Sequence, residues 1–78
     1  MARRIPYNRI KVMLAEKRKS NNDLATYLGS EPGTVSKWVT NTTQPSIQTL
    51  FLIAEFLNVE AKDLIETRAR IMEAKENT

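Results

Sequence analysis

Apolar side chains in this chain of 78 residues recur every three or four positions between turn-forming clusters, and the pattern predicts five helices. Ile10, Met13 and Leu14, with Lys17, form the stripe of a first helix over residues 7–18. Ser20-Asn21-Asn22-Asp23 then reads as a capping box. In such a box the Ser20 hydroxyl accepts from the Asp23 N–H and the Asp23 carboxylate accepts from the Ser20 N–H. Leu24, Ala25 and Leu28 make the inner face of a short second helix that stops at Gly29, where a residue without Cβ enters the left-handed conformation at low cost. Pro32 opens a third helix, because its locked φ and missing N–H suit the first turn, and Val35, Trp38 and Val39 form its buried stripe. Residues 41–45 are a loop by composition. Ser46 caps a fourth helix over residues 47–57, built on Ile47, Leu50, Ile53, Ala54 and Leu57. A fifth helix is expected from about residue 61 to residue 75, with Leu64, Ile65, Ile71 and Met72 as its apolar points, and the last three residues are expected to fray. The fold class is all-α, with short loops.

Length narrows this to one domain, and a chain of this size buries only about 60% of its unfolded surface on folding. Small domains often need a staple. With no Cys and no His, disulfides and thiolate or imidazole metal sites are excluded, so self-association is the staple left, and a homodimer is expected. No apolar run reaches the ~20 residues of a membrane span. The basic start also lacks the apolar core of a signal peptide, so a soluble, cytoplasmic protein without membrane attachment is expected. Catalysis finds no footing. Residues 29–33 lack the lysine and spacing of a phosphate-binding loop, and no carboxylate pair accompanies a nucleophile. Glu60, Asp63 and Glu66 read as a capping and solvated face rather than a metal site. No enzyme activity, cofactor or metal is expected.

Charge is unevenly placed. Residues 1–40 hold eight basic and three acidic side chains, and residues 41–78 hold four basic and six acidic. A basic front suits a polyanionic partner.

Residues 21–40 form a unit in which three positions have physical reasons. Ala25, fifth in the unit, is small enough for the third helix to cross the second closely. Gly29, ninth, permits a turn of a few residues, and Val35, fifteenth, plugs the angle between the helices. Together with Ser20-Asn21-Asn22-Asp23-Leu24-Ala25, Leu28-Gly29, Thr34-Val35-Ser36-Lys37-Trp38, Gln44-Pro45-Ser46, Thr49-Leu50 and Ile53-Ala54-Glu55, this unit resembles the Cro/CI-type (XRE) family of helix-turn-helix regulators. The matching strings keep their order across about three quarters of the chain.

The resemblance implies a five-helix, lambda-repressor-like domain over residues 7–66, a helix-turn-helix over residues 21–40, a basic N-terminal arm over residues 1–6 and a helical C-terminal extension over residues 67–78. It also implies sequence-specific binding of double-stranded DNA by a transcriptional regulator, of repressor type and of bacterial or phage kind. The helix over residues 32–40 would enter the major groove. The family's base-reading positions fall on Pro32, Gly33 and Lys37, with Ser36 beside them; Lys37 can donate to guanine O6 or N7. Pro32 and Gly33 depart from the polar residues usual there, so fewer base contacts and more dependence on phosphates and DNA shape are expected.

Phosphate contacts are expected from Ser20, Asn21 and Asn22, from Thr34 and Thr40, and from Thr43, Gln44 and Ser46, mostly near helix N-termini. The loop after the third helix lacks the Lys or Arg of many relatives, and Arg3, Arg4, Lys17, Arg18 and Lys19 are candidates to supply the charge. Lys17-Arg18-Lys19 reads equally as a solvated helix end, and Arg3-Arg4 as a free tail. Trp38 reads as core. Where relatives pair Arg with Glu, this chain has Leu14 and Val39, a paired apolar replacement that predicts contact between them.

Leu52 and Phe56, four residues apart, add apolar surface beyond the inner face of the fourth helix, and Phe51 adds to it. With Ile71 and Met72 they make either a dimer seam or a surface covered by the chain's own tail. A domain this short leaves no room for a sensor module, so control is expected through concentration, degradation or a partner protein. Phage-type repressor, antitoxin and restriction–modification controller all fit. The alternative from another class is a protein-interaction module or antitoxin-type partner binder that keeps the fold without reading bases.

Overall fold

The computed structural model describes residues 4–76 and contains helices α1 (Ile10–Glu16), α2 (Asn21–Leu28), α3 (Pro32–Val39) and α4 (Ile47–Leu57), a 3-10 turn (Ala61–Leu64) and α5 (Arg68–Glu76). The all-α class and five-helix order expected from periodicity are what is observed. The helix starts follow their caps. The Ser20 hydroxyl accepts from the Asp23 N–H at 3.0 Å and the Asp23 carboxylate from the Ser20 N–H at 2.9 Å, completing the predicted box. The Ser20 backbone N–H foremost, and the Ser20 side chain after it, hold the Asp23 carboxyl below its ordinary range. Pro32 is the first residue of α3, and the Ser46 hydroxyl accepts from the Thr49 N–H.

The first four α-helices all end through one left-handed residue, at Arg18, Gly29, Asn41 and Asn58. Each end closes a pair of bonds back onto the last turn, such as Ser30 N–H to the Ala25 carbonyl and Thr42 N–H to the Lys37 carbonyl. Only one of the four is glycine. A Cβ at Gly29 would meet no atom within 4 Å, so glycine answers a backbone requirement there rather than a crowding one.

The core gathers Ile10, Met13 and Leu14 from α1, Leu24 and Ala25 from α2, Val35, Trp38 and Val39 from α3, four residues of α4, and Leu64. Trp38 is core, as its spacing predicts. Leu14 and Val39 are buried in the same cluster, consistent with an apolar pair in place of an ion pair.

Three expectations need correcting. The first helix begins at Ile10 rather than near residue 7 and ends at Glu16, leaving Lys17 exposed. Residues 7–9 instead stay outside the helix, because Asn8 forms an antiparallel bridge with Ile65: the Arg9 N–H donates to the Leu64 carbonyl at 2.8 Å and the Glu66 N–H to the Tyr7 carbonyl at 2.9 Å. The same bridge splits the expected fifth helix, since Ile65 must adopt φ −113°, ψ 133° to pair. Finally, Ile47 is 67% exposed and not part of the core. It sits in the first turn of α4, beyond the reach of the neighbouring helices' buried stripes.

Helix α5 buries none of its residues. Met72 is exposed and Ile71 half-buried, and Leu52 stays 47% exposed, so the tail does not cover it. Phe56 is half-buried by other means: the Tyr27 ring lies 4.9 Å from its own, and the Lys19 ammonium stands 5.7 Å from its centroid. Among the described residues, no helix is long and apolar enough to cross a membrane.

Candidate nucleic-acid interface

Helix α3 divides sharply. Val35, Trp38 and Val39 are buried, while Pro32, Gly33, Thr34, Ser36, Lys37 and Thr40 are all exposed. This is the outward stripe that the inward one requires on a helix of 3.6 residues per turn. Among the described residues the side chains of Ser36 and Lys37 make no hydrogen bond or ion pair, whereas Arg70 pairs with Glu73 at 3.8 Å. Gly33 is unneeded by packing, for a Cβ there would meet nothing within 4 Å. A glycine in that position leaves a bare stretch of backbone open to close approach from outside.

The expected phosphate contacts fall into two groups with different chemistry. At the start of α2, Ser20 is exposed, Asn21 half-buried and Asn22 exposed. The Asp23 carboxylate already sits at this N-terminus and occupies the Ser20 N–H, while the Ser20 hydroxyl occupies the Asp23 N–H. An anion approaching here would meet the N–H groups of Asn21 and Asn22 beside a negative charge. At the start of α4 no acidic residue lies in the first turn, so the dipole is uncompensated. The Ser46 hydroxyl is engaged with both the N–H and the hydroxyl oxygen of Thr49, so what this terminus offers is its backbone N–H groups.

The loop between α3 and α4 is organised by residues that periodicity does not flag. Asn8, exposed by only 7%, lies at the start of the chain and reaches the end of α3. Its Nδ2 donates to the Trp38 carbonyl at 2.8 Å and to Gln44 Oε1 at 2.7 Å, and its Oδ1 accepts from the Ile10 N–H at 3.0 Å. Asn41 answers from the loop: its Oδ1 accepts from the Asn8 N–H at 2.9 Å, and its Nδ2 donates to the Asn8 carbonyl at 3.2 Å. Gln44 Nε2 closes the ring onto Asn41 Oδ1 at 3.0 Å. The Gln44 carboxamide, expected on a phosphate, is thus held within the molecule. Thr40 and Thr43 are exposed, with the Thr40 hydroxyl donating to the Ser36 carbonyl at 3.0 Å.

Among the basic candidates, Arg4, Lys17 and Arg18 are exposed and Lys19 is turned over the Phe56 ring, while Arg3 lies outside the described residues. One signal could have found the missed residues. Asn is the commonest substitute for glycine at a left-handed helix end, and Asn41, at φ 59°, stands where α3 stops.

A family model described as Helix-turn-helix (HTH_3) matches residues 10–64. Among solved structures, the chain is similar to a protein of Bacteroides fragilis described as a "putative DNA-binding protein", at 47% identity and a TM-score of 0.76, over 77% of this chain and 97% of that one. No curated protein matches significantly. The capped α2, the left-handed turn at Gly29, the exposed stripe of α3 and the span of the family match agree: the chain belongs to the XRE-type family of helix-turn-helix DNA-binding proteins.

Proposed function

We propose that this chain is a sequence-specific, non-enzymatic regulator of transcription, of repressor type, that inserts α3 into the major groove of duplex DNA. One observation carries the reading: the stripe of Gly33, Ser36 and Lys37 is exposed, and its side chains take no part in packing the core. Lys37 takes the role of specific base donor, with Ser36 beside it. Pro32 and Gly33 allow close approach and apolar contact with a thymine methyl. Thr34, Thr40 and Thr43, with the N-termini of α2 and α4, meet phosphates, and Arg4, Lys17 and Arg18 add charge from the basic half. The protein acts in the cytoplasm.

It acts as a homodimer on two half-sites about one helical turn apart. The uncovered Leu52 and Met72 favour this, with Phe56 and Ile71 at the margin of the same seam. In-vitro selection from a random duplex pool at near-physiological salt tests the whole reading. An enriched inverted repeat is the expected result. A folded protein that enriches nothing would overturn sequence-specific binding and favour an interaction module.

Two substitutions test the stripe itself. Lys37→Ala should cost about 1–3 kcal/mol in binding and relax the preference at one base position, read by competition among single-base operator variants. Unchanged preferences would remove Lys37 from base reading. Gly33→Ala should act in opposite directions on fold and function. It stabilises the helix by roughly 0.5–1 kcal/mol, because Ala loses less backbone entropy than Gly. Yet it puts a methyl where DNA backbone or base is to approach, so operator affinity should fall while the urea midpoint rises. A variant that gains stability and binds as tightly as before would show that close approach at Gly33 is not used.

A further inference from the structure

We infer that Asn8 and Asn41 are positioning residues for DNA binding, forming a side-chain lock that sets the loop between α3 and α4 at the DNA surface. This inference rests on the DNA-binding reading above.

The geometry is that of a short strand paired on both edges. On one edge, the Tyr7 carbonyl and Arg9 N–H bond to the Glu66 N–H and Leu64 carbonyl. On the other, the Asn41 carboxamide takes both the N–H and the carbonyl of Asn8, doing the work of a neighbouring strand's peptide group. The inner edge is anchored in the core, since Ile10 and Leu64 flank it and both are fully buried. The loop therefore hangs from a rigid support. The Asn8 bonds to the Trp38 carbonyl and Gln44 Oε1 hold its two ends.

Such a lock matters because residues 38–54 contain no Lys or Arg. A lysine can follow a phosphate through several ångströms on a flexible stem and still attract it. Hydroxyl and backbone N–H donors cannot, because a hydrogen bond weakens steeply once its angle falls away from linear. A loop that meets phosphate through neutral donors alone depends on being held in place. Its contribution also carries a distinct signature. Counterion release scales with the phosphates neutralised by cations, so loss of neutral contacts lowers affinity without changing the salt slope.

The test is Asn41→Gly, which keeps the left-handed backbone at φ 59° unstrained and removes only the carboxamide. Gln44→Ala, at an exposed position, is the second variant and leaves the Asn8–Asn41 pair intact. Binding is followed by fluorescence anisotropy on the duplex recovered by selection, or on the random pool if none is enriched. Salt runs from roughly 50 to 200 mM, and the temperature is one at which circular dichroism shows each variant folded. The expected result for Asn41→Gly is a loss of roughly tenfold in affinity, comparable to one hydrogen bond to a charged group. Gln44→Ala should show a smaller loss, and both should keep the wild-type salt slope and base preferences. Wild-type affinity in both folded variants would overturn the lock as a binding device and leave it a matter of stability. A loss accompanied by a fall of about 0.9 in the slope would overturn it too, because a cationic contact would then have been lost. Wild-type protein that binds no duplex at any salt would instead sink the DNA-binding reading beneath it.

Discussion

Leu24→Ala is expected to remove about 2–5 kcal/mol of stability, the range for truncating a fully buried Leu. Leu24 is completely buried in α2, in a cluster shared with Val35 of α3 and Ile53 of α4. The loss has two parts. The deleted methyl groups forfeit their transfer out of water, and the cavity left behind forfeits dispersion contacts that the neighbours cannot recover. The effect should be large relative to the whole, since domains of this size hold only about 0.05–0.15 kcal/mol per residue. Thermal unfolding followed by circular dichroism should drop by roughly 10–30 °C. Because the same side chain helps hold α3 against α2, DNA binding at 37 °C should fall with the folded fraction. A loss under about 1 kcal/mol would mean that the helices collapse around the gap, and that the angle between α2 and α3 is not set by this contact.

Asn8→Leu is expected to cost roughly 2–4 kcal/mol, although it replaces a polar side chain with an apolar one of similar size at a position only 7% exposed. By hydrophobic arithmetic alone it should stabilise. The sign reverses because the Ile10 N–H, donated to Asn8 Oδ1 at 3.0 Å, loses its acceptor. A buried donor without a partner costs about 1–3 kcal/mol, and two further bonds, to the Trp38 carbonyl and Gln44, are lost with it. The Trp38 carbonyl is the least affected, since it also accepts from the Asn41 N–H at 3.0 Å. Urea denaturation measures the change. A neutral or stabilising outcome would show that water or backbone relaxation satisfies the Ile10 N–H, and that packing at this site outweighs polar pairing.

These two residues mark the boundary between what local pattern reveals and what it hides. Leu24 announces itself, because it lies on an apolar stripe between a capping box and a left-handed turn, and each of these signals depends on a few neighbouring residues. The same is true of Val35, Trp38 and the exposed face opposite them. Asn8 gives no such sign. Apart from the nearby Ile10 N–H, its side-chain partners stand 30 and 36 positions away in the chain, and an asparagine before a helix looks like an ordinary cap. Ile47 and Ile65 mislead for the converse reason: each sits at helical spacing from core residues, yet one lies in a first turn beyond its neighbours and the other is drawn into a bridge.

Side-chain periodicity and backbone preferences within a few residues suffice to specify α2 to α4, their caps, the core stripe and the outward face of α3. Where α1 starts, why the fifth helix breaks and how the loop after α3 is held depend on the folded chain as a whole. Those features arise from hydrogen bonds between distant residues, in which the Tyr7 carbonyl, both backbone groups of Asn8 and the Arg9 N–H find partners at Glu66, Asn41 and Leu64. Backbone polar groups must be satisfied wherever the chain is buried, but which distant group satisfies them is set by the packing of the whole.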